Sequence, residues 1–220
     1  MVVNASEAGA PVDDHVCQVD FQPGWVDLML EKFDWVEAWA AATVVAATQF
    51  DSAGLTVKPR ILMRDLRKRA LSLNRDEPLH AAAYYTPDGR CLVDFRFDTY
   101  VDEGKPRPTP PEVVPLLLEH SDAEVVGQPH IRYLDLAVGP AVRMQAELKN
   151  KSRRLGFGRD WMAGLVKYAV FPPGLDSLGI VEATWWKAQD AEEATRLIDA
   201  LVATMRLVPV DADGNEVGSP

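Results

Sequence analysis

Across residues 80–101 the chain alternates with a period of two on either side of Pro87-Asp88-Gly89-Arg90. Asp-Gly between two such runs predicts a β-hairpin, because the tight turn needs a positive φ that glycine reaches without a Cβ clash. In the second arm Cys91, Val93, Phe95 and Phe97 share one face, and Asp94, Arg96 and Asp98 share the other. That is the pattern of an antiparallel strand with one packed face and one wet face.

The rest of the chain adds similar pieces. Extended stretches are expected at 131–138, 141–148 and 161–171, separated by Gly139-Pro140 and by the basic loop 149–159, with another at 178–187 after Pro172-Pro173-Gly174. Residues 16–30 form a short extended run broken at Pro23-Gly24, readable as strand or staple. A helix is expected over 34–50, capped by Asp34, with Val36, Trp39, Ala40, Thr43, Val44 and Ala47 recurring at helical spacing. It reads as largely buried. A second helix over 59–73 places Leu62, Leu66, Ala70 and Leu73 on one stripe, opposite Arg60, Arg64, Arg67, Lys68 and Arg69. Thr109, Pro110 and Glu112 have the spacing of a capping box with a first-turn proline. Asp190 and Glu193 open a last helix with Ala194, Leu197, Ile198, Leu201, Val202 and Met205 in register, followed by a short strand at 206–210.

Strand pairs joined by short turns, with helices near the start and end, predict an α+β fold. Its antiparallel sheet has about six or more strands, with helices packed mainly on one side. A doubly wound parallel sheet would need strands and helices in alternation. The expected organisation is one domain over 16–210, helical at 34–75 and sheet with a terminal helix at 79–210. The flanks 1–15 and 211–220 are small, polar and acidic and are expected to be mobile tails.

At 220 residues the chain can bury a large core without cross-links, and its two cysteines, Cys17 and Cys91, allow at most one disulfide. Both read as reduced thiols. The first residues lack the basic and apolar regions of a signal peptide, so a cytoplasmic location is expected. The longest apolar run, 38–47, is about half of what a bilayer crossing needs, so no membrane partner is expected. A net charge of −10 opposes general nucleic-acid binding, which draws its affinity from cations on phosphates. Arginine outnumbers lysine and alanine and valine are abundant, a bias shared with high-GC bacterial proteins.

The stretches LVKYAVF at 165–171, GIVEATWW at 179–186 and LIDALVATMRL at 197–207 together make a helix closing on a short strand behind two sheet strands. This ending resembles the PsbP-like fold of photosystem accessory proteins and of a nuclear-transport protein that binds the GTPase Ran. The resemblance covers roughly the last 80 to 140 residues, and implies a fold used chiefly for binding, with no catalytic residues carried over.

The chain contains no GxxxxGK[ST], GxGxxG, HExxH, GxSxG or CxxC motif. His15, His80, His120 and His130 lack metal-ligand spacing, so no metal and no cofactor are expected. Lys149, Lys151, Arg153, Arg154 and Arg159 surround Gly156-Phe157-Gly158, a concentration of positive charge in an acidic chain. Trp185 and Trp186, adjacent in a strand, must point to opposite faces. Core packing is expected for both, with Trp186 the candidate for an interface if one is exposed. The leading reading is a non-enzymatic interaction domain that docks the acidic surface of an unknown protein through Lys149, Lys151, Arg153, Arg154, Phe157, Arg159 and Trp186. The alternative is a small enzyme or ligand-binding protein with a carboxylate-lined cleft between the sheet and the N-terminal helices, built from Asp94, Asp98 and Glu182. Alternating charge on a wet strand face accounts for those carboxylates equally well.

Overall fold

The computed structural model describes residues 14–102, 104–120, 123–150 and 161–210. In chain order the elements are β1 (Asp14–Gln18), β2 (Trp25–Asp27), α1 (Trp35–Thr48), α2 (Pro59–Leu73), β3 (His80–Tyr85), β4 (Cys91–Tyr100), α3 (Pro110–Leu118), β5 (Ala123–Leu136), β6 (Gly139–Asn150), β7 (Met162–Val170), β8 (Leu178–Trp185), α4 (Ala191–Val202) and β9 (Arg206–Val210). β1 therefore begins inside the stretch expected as a tail.

The hairpin forms where expected. Gly89 has φ +84, its N–H donates to Thr86 O at 2.9 Å, and the Thr86 N–H donates to Arg90 O at 2.9 Å. From this pair the main sheet grows to seven strands in the order β2-β3-β4-β8-β7-β6-β5, antiparallel throughout. β1 and β9 pair separately as an antiparallel ribbon.

Alternation assigns the two sheet faces. Val93, Phe95, Phe97, Val166, Tyr168, Val181, Ala183 and Trp185 pack with Ala194, Leu197, Ile198, Leu201 and Val202 of α4, and Cys17 and Leu207 of the ribbon close over the same core. On the opposite face α1 and α2 cover Ala81, Ala83 and Tyr85, while Val113 and Leu117 of α3 cover Met144, Ala146 and Leu165. Three of the four described α-helices thus share one face. Their caps follow from local chemistry: the Asp34 carboxylate accepts from the Glu37 N–H at 2.7 Å, and Glu112 accepts from the Thr109 N–H at 2.8 Å. None of the described helices is long and apolar enough to cross a membrane.

Four expectations need correction. The α1 stripe Val36, Trp39, Ala40, Thr43, Val44 and Ala47 is exposed, and Ala38, Ala42 and Val45 are buried instead. Helical spacing fits both stripes of this nearly all-apolar helix, and the small Ala38 and Ala42 lie in the core shared with α2 and β3. Cys91 packs with the α2 core rather than with Val93, because a register shift at Tyr84/Tyr85 offsets the pleat. β5 starts at Ala123, well before 131: a register shift between Val126 and His130, with Gly127 at φ +72, carries the edge strand through Pro129. The Asp190 side chain does not cap α4; its carboxylate pairs with Arg90 at 2.8 Å.

Candidate interaction surface

β6 and β7 are joined through residues 151–160. At the root of that connection the Asn150 N–H donates to Trp161 O at 3.4 Å, and the Trp161 N–H donates to Asn150 Oδ1 at 3.2 Å. Lys149 sits one residue back on β6, opposite Met162 on β7 and Glu124 on β5. Lys151, Arg153, Arg154, Phe157 and Arg159 lie outside the described residues.

The strand parity of Trp185 and Trp186 resolves in opposite directions. Trp185 is 3% exposed and packs under α4; it lies so close over β7 that a Cβ on Gly164 would fall 2.0 Å from its ring. Trp186 is 52% exposed, which corrects the expectation of core packing for both. It does not stand alone: its ring meets that of Trp161 edge-on, with centroids 5.4 Å apart, and its Nε1–H points to Asp94 Oδ2 at 3.5 Å. The exposed tryptophan and the root of the basic loop are therefore one place on the surface.

Beside this pair, β5 and β6 carry the sheet past α4, leaving a groove of about 660 Å3 lined by Val126, His130, Arg132, Glu147, Met162, Trp185 and Trp186. Met162 and Val126 are exposed apolar residues within it. Trp161 and Met162 were visible in the sequence only as the first residues after the loop. Their place beside Trp186 follows from the pairing of β8 with β7.

The chain matches no protein-family model. No curated protein matches it either. Among solved structures it is similar to the crystal structure of LpqN, described as involved in cell envelope biogenesis of Mycobacterium tuberculosis, with TM-score 0.44, 8% identity, and coverage of 92% of this chain and 88% of that one. A likeness this distant carries no argument about function.

Asp94, Asp98 and Glu182 do share a sheet face, as β4–β8 pairing requires. Asp94 is held by Arg69, whose Nη1 lies 2.5 and 2.6 Å from its two oxygens, while Arg69 Nε binds Asp65 at 2.8 Å and the Tyr85 hydroxyl donates to Asp65 at 2.6 Å. Burial pushes the Tyr85 hydroxyl pKa up, and the Asp65 carboxylate that accepts its hydrogen bond adds to the rise. Glu182 is paired with Arg96 and Lys167, each at 3.2 Å. Burial pushes its carboxyl up, but the two cations outweigh burial and hold it below the usual carboxylate range. Asp98 accepts from the Thr99 N–H at 2.7 Å. Asp94 and Glu182 are thus both engaged in ion pairs, and Glu182 is not kept protonated to act as an acid.

Two further features escaped the sequence. Arg143, 3% exposed, donates from Nε to Asp199 on α4 at 3.0 Å and to the Tyr168 hydroxyl at 3.1 Å, and Tyr168 itself donates to Asp199 at 2.5 Å. Between the β1–β9 ribbon and the sheet lies an apolar cavity of about 200 Å3 lined by Cys17, Phe97, Val138, Val170, Met205 and Leu207 among others. His80 ties its wall together, with Nε2 3.0 Å from Cys17 O. Among the described residues no group of three or more His, Cys, Asp or Glu side chains is placed to hold a metal.

Proposed function

We propose that this chain is a non-enzymatic protein-interaction domain that works in the cytoplasm and docks an acidic partner at the Trp161/Trp186 end of the sheet. The observation that carries this reading is the half-exposed Trp186, braced edge-on by Trp161 at the root of the basic loop. A rigid, amphipathic aromatic beside a concave surface, with arginine and lysine at the rim, is the composition of an interface hot spot. Lys149, Lys151, Arg153, Arg154 and Arg159 would steer an acidic surface toward it, and Phe157 would add a second aromatic contact. The resemblance of the C-terminal segments to PsbP-like domains supports the same reading.

The test is a photo-crosslinking residue placed at position 186 and, as a control, at the exposed Glu192 on α4, in the native cells. The expected result is an adduct at 186 alone, weakened by salt, which screens such attraction over about 10 Å at 0.1 M, and lost when Arg153 and Arg154 are reversed to Glu. Equal adducts at both positions, or one indifferent to the reversal, would refute the reading.

A second reading, ligand binding, rests on the apolar cavity under the ribbon rather than on the carboxylates. Its volume of about 200 Å3 is of the size that takes up a small apolar molecule, since a dry cavity of roughly 150 Å3 binds benzene. A rise in melting temperature with small aromatic or alkyl probes, abolished by Val170→Phe, would favour it.

A further inference from the structure

The outward side of α1 is an apolar surface that the fold leaves uncovered. Trp35, Val36, Trp39 and Val44 are 57%, 76%, 46% and 61% exposed, and Phe33, just ahead of the helix, is 54% exposed. From Ala38 to Thr48 the helix has no charged side chain. Scattered exposed hydrophobics need no explanation, but a contiguous patch rimmed by polar groups marks a binding surface.

The rim is cationic on the α2 side. The Arg67 guanidinium lies 3.6 Å from the Trp35 ring centroid and 5.2 Å from that of Trp39. Arg60 and Arg64 precede it on the same helical face, both exposed, and exposed Lys68 follows one turn after Arg64. Lys32 and Lys58, also exposed, sit just ahead of α1 and α2. Four acids nearby are already engaged: Asp34 accepts from the Glu37 N–H, Glu37 accepts from the N–H groups of Glu31 and Lys32 at 2.5 and 2.8 Å, Asp51 past the end of α1 accepts from the Ala53 N–H, and Asp65 on α2 pairs with Arg69. In a chain of net charge −10, an apolar helix bordered by a row of arginines is a local reversal of sign.

We infer that this face docks on an anionic lipid bilayer. α1 lies flat in the interface, with Trp35, Val36, Trp39 and Val44 at the headgroup and acyl boundary, and Arg60, Arg64, Arg67 and Lys68 meet lipid phosphates. Tryptophan favours that depth because its ring is apolar and its N–H is polar. Interfacial binding strength scales with buried apolar area plus attraction to anionic lipid, and both are supplied on one face. A run too short to cross a bilayer is long enough to lie in its surface. A second copy of the chain is the poorer occupant, since it brings the same cation row and the same net charge.

The full chain should sediment with phosphatidylcholine vesicles containing phosphatidylglycerol, not with phosphatidylcholine alone, and added salt should release it. Removing two rim cations in Arg60→Gln/Arg64→Gln should weaken partitioning about thirtyfold, each cation being worth roughly a factor of five at such a surface. Val36→Asp/Val44→Asp should abolish binding with an unchanged melting midpoint, since both side chains are exposed. Trp186→Ala should leave vesicle binding unaltered, which separates this surface from the Trp161/Trp186 groove. No sedimentation with the anionic vesicles at low salt, binding retained by the Val36/Val44 variant, or binding lost with Trp186→Ala would each overturn the inference. So would a salt-stable dimer that the Val36/Val44 variant dissociates.

Discussion

Gly89 and Gly164 are held to glycine for two different reasons. At Gly89 the backbone has φ +84, and a Cβ would also come within 2.8 Å of Leu55 and Val57, so Gly89→Val combines backbone strain with a clash. The expected loss is about 1 kcal/mol or more in denaturant unfolding, measured at the midpoint with an unchanged slope. At Gly164 the constraint is packing alone, because the Trp185 ring occupies the space of a side chain. The cysteines illustrate burial acting on chemistry. Cys17 packs with the α4-side core and Cys91 with the α2-side core, so the sheet separates them and both are unpaired. Burial pushes the Cys17 thiol from an ordinary value near 9.0 up to about 11, and burial likewise holds Cys91 well above its ordinary value. Since the thiolate is the nucleophile, alkylation of native Cys17 at pH 8 should be about a hundredfold slower than in the unfolded chain, where two thiols should titrate. Native alkylation at the unfolded rate would contradict the packing of β1.

α1 and α4 differ in how firmly their own sequences orient them. In α4 the residues at helical spacing, Ala194, Leu197, Ile198, Leu201 and Val202, are all buried, and its polar side adds a specific tie through Asp199 to Arg143 and Tyr168. Asp199→Ala would leave the Arg143 guanidinium, 3% exposed, without its carboxylate partner. The expected destabilisation is about 1 to 3 kcal/mol by thermal unfolding, less than for a fully buried pair because Asp199 is itself partly exposed. An unchanged unfolding midpoint in Asp199→Ala would contradict that tie. α1 has no such polar side, so rotation about its axis is set by its neighbours alone.

Across the molecule, cover is uneven. The central strands β4, β8 and β7 are overlaid on both faces, by α4 on one and by α2 or α3 on the other, whereas β5 is an edge strand with Val126 and Tyr133 exposed. Amide hydrogen exchange should therefore be slowest in β4, β7 and β8, near the global unfolding rate, and faster in α1 and β5. Protection of α1 equal to that of β4 in the isolated chain would mean that its outer face is covered, and would count against a surface reserved for a bilayer.

Where a residue pattern admits one solution, local chemistry was enough. Asp88-Gly89 fixed the turn, Thr109 and Glu112 fixed the start of α3, and the single amphipathic stripes of α2 and α4 named their buried residues, because each rests on contacts a few positions apart in the chain. Tertiary packing was needed wherever a pattern admitted two. Val36 and Ala38 both sit on apolar stripes of α1, and only the fit against α2 and β3 selected the smaller residues. Asp94 and Asp98 alternate as wet-face residues do, yet Arg69, from a helix distant in sequence, decided that Asp94 is held in an ion pair. Trp185 and Trp186 had to face apart, but the choice of which is buried belonged to α4 and Gly164. The pairing of Trp186 with Trp161, on which the proposed interface rests, depends on the return of β8 beside β7, a register that no local sequence signal records.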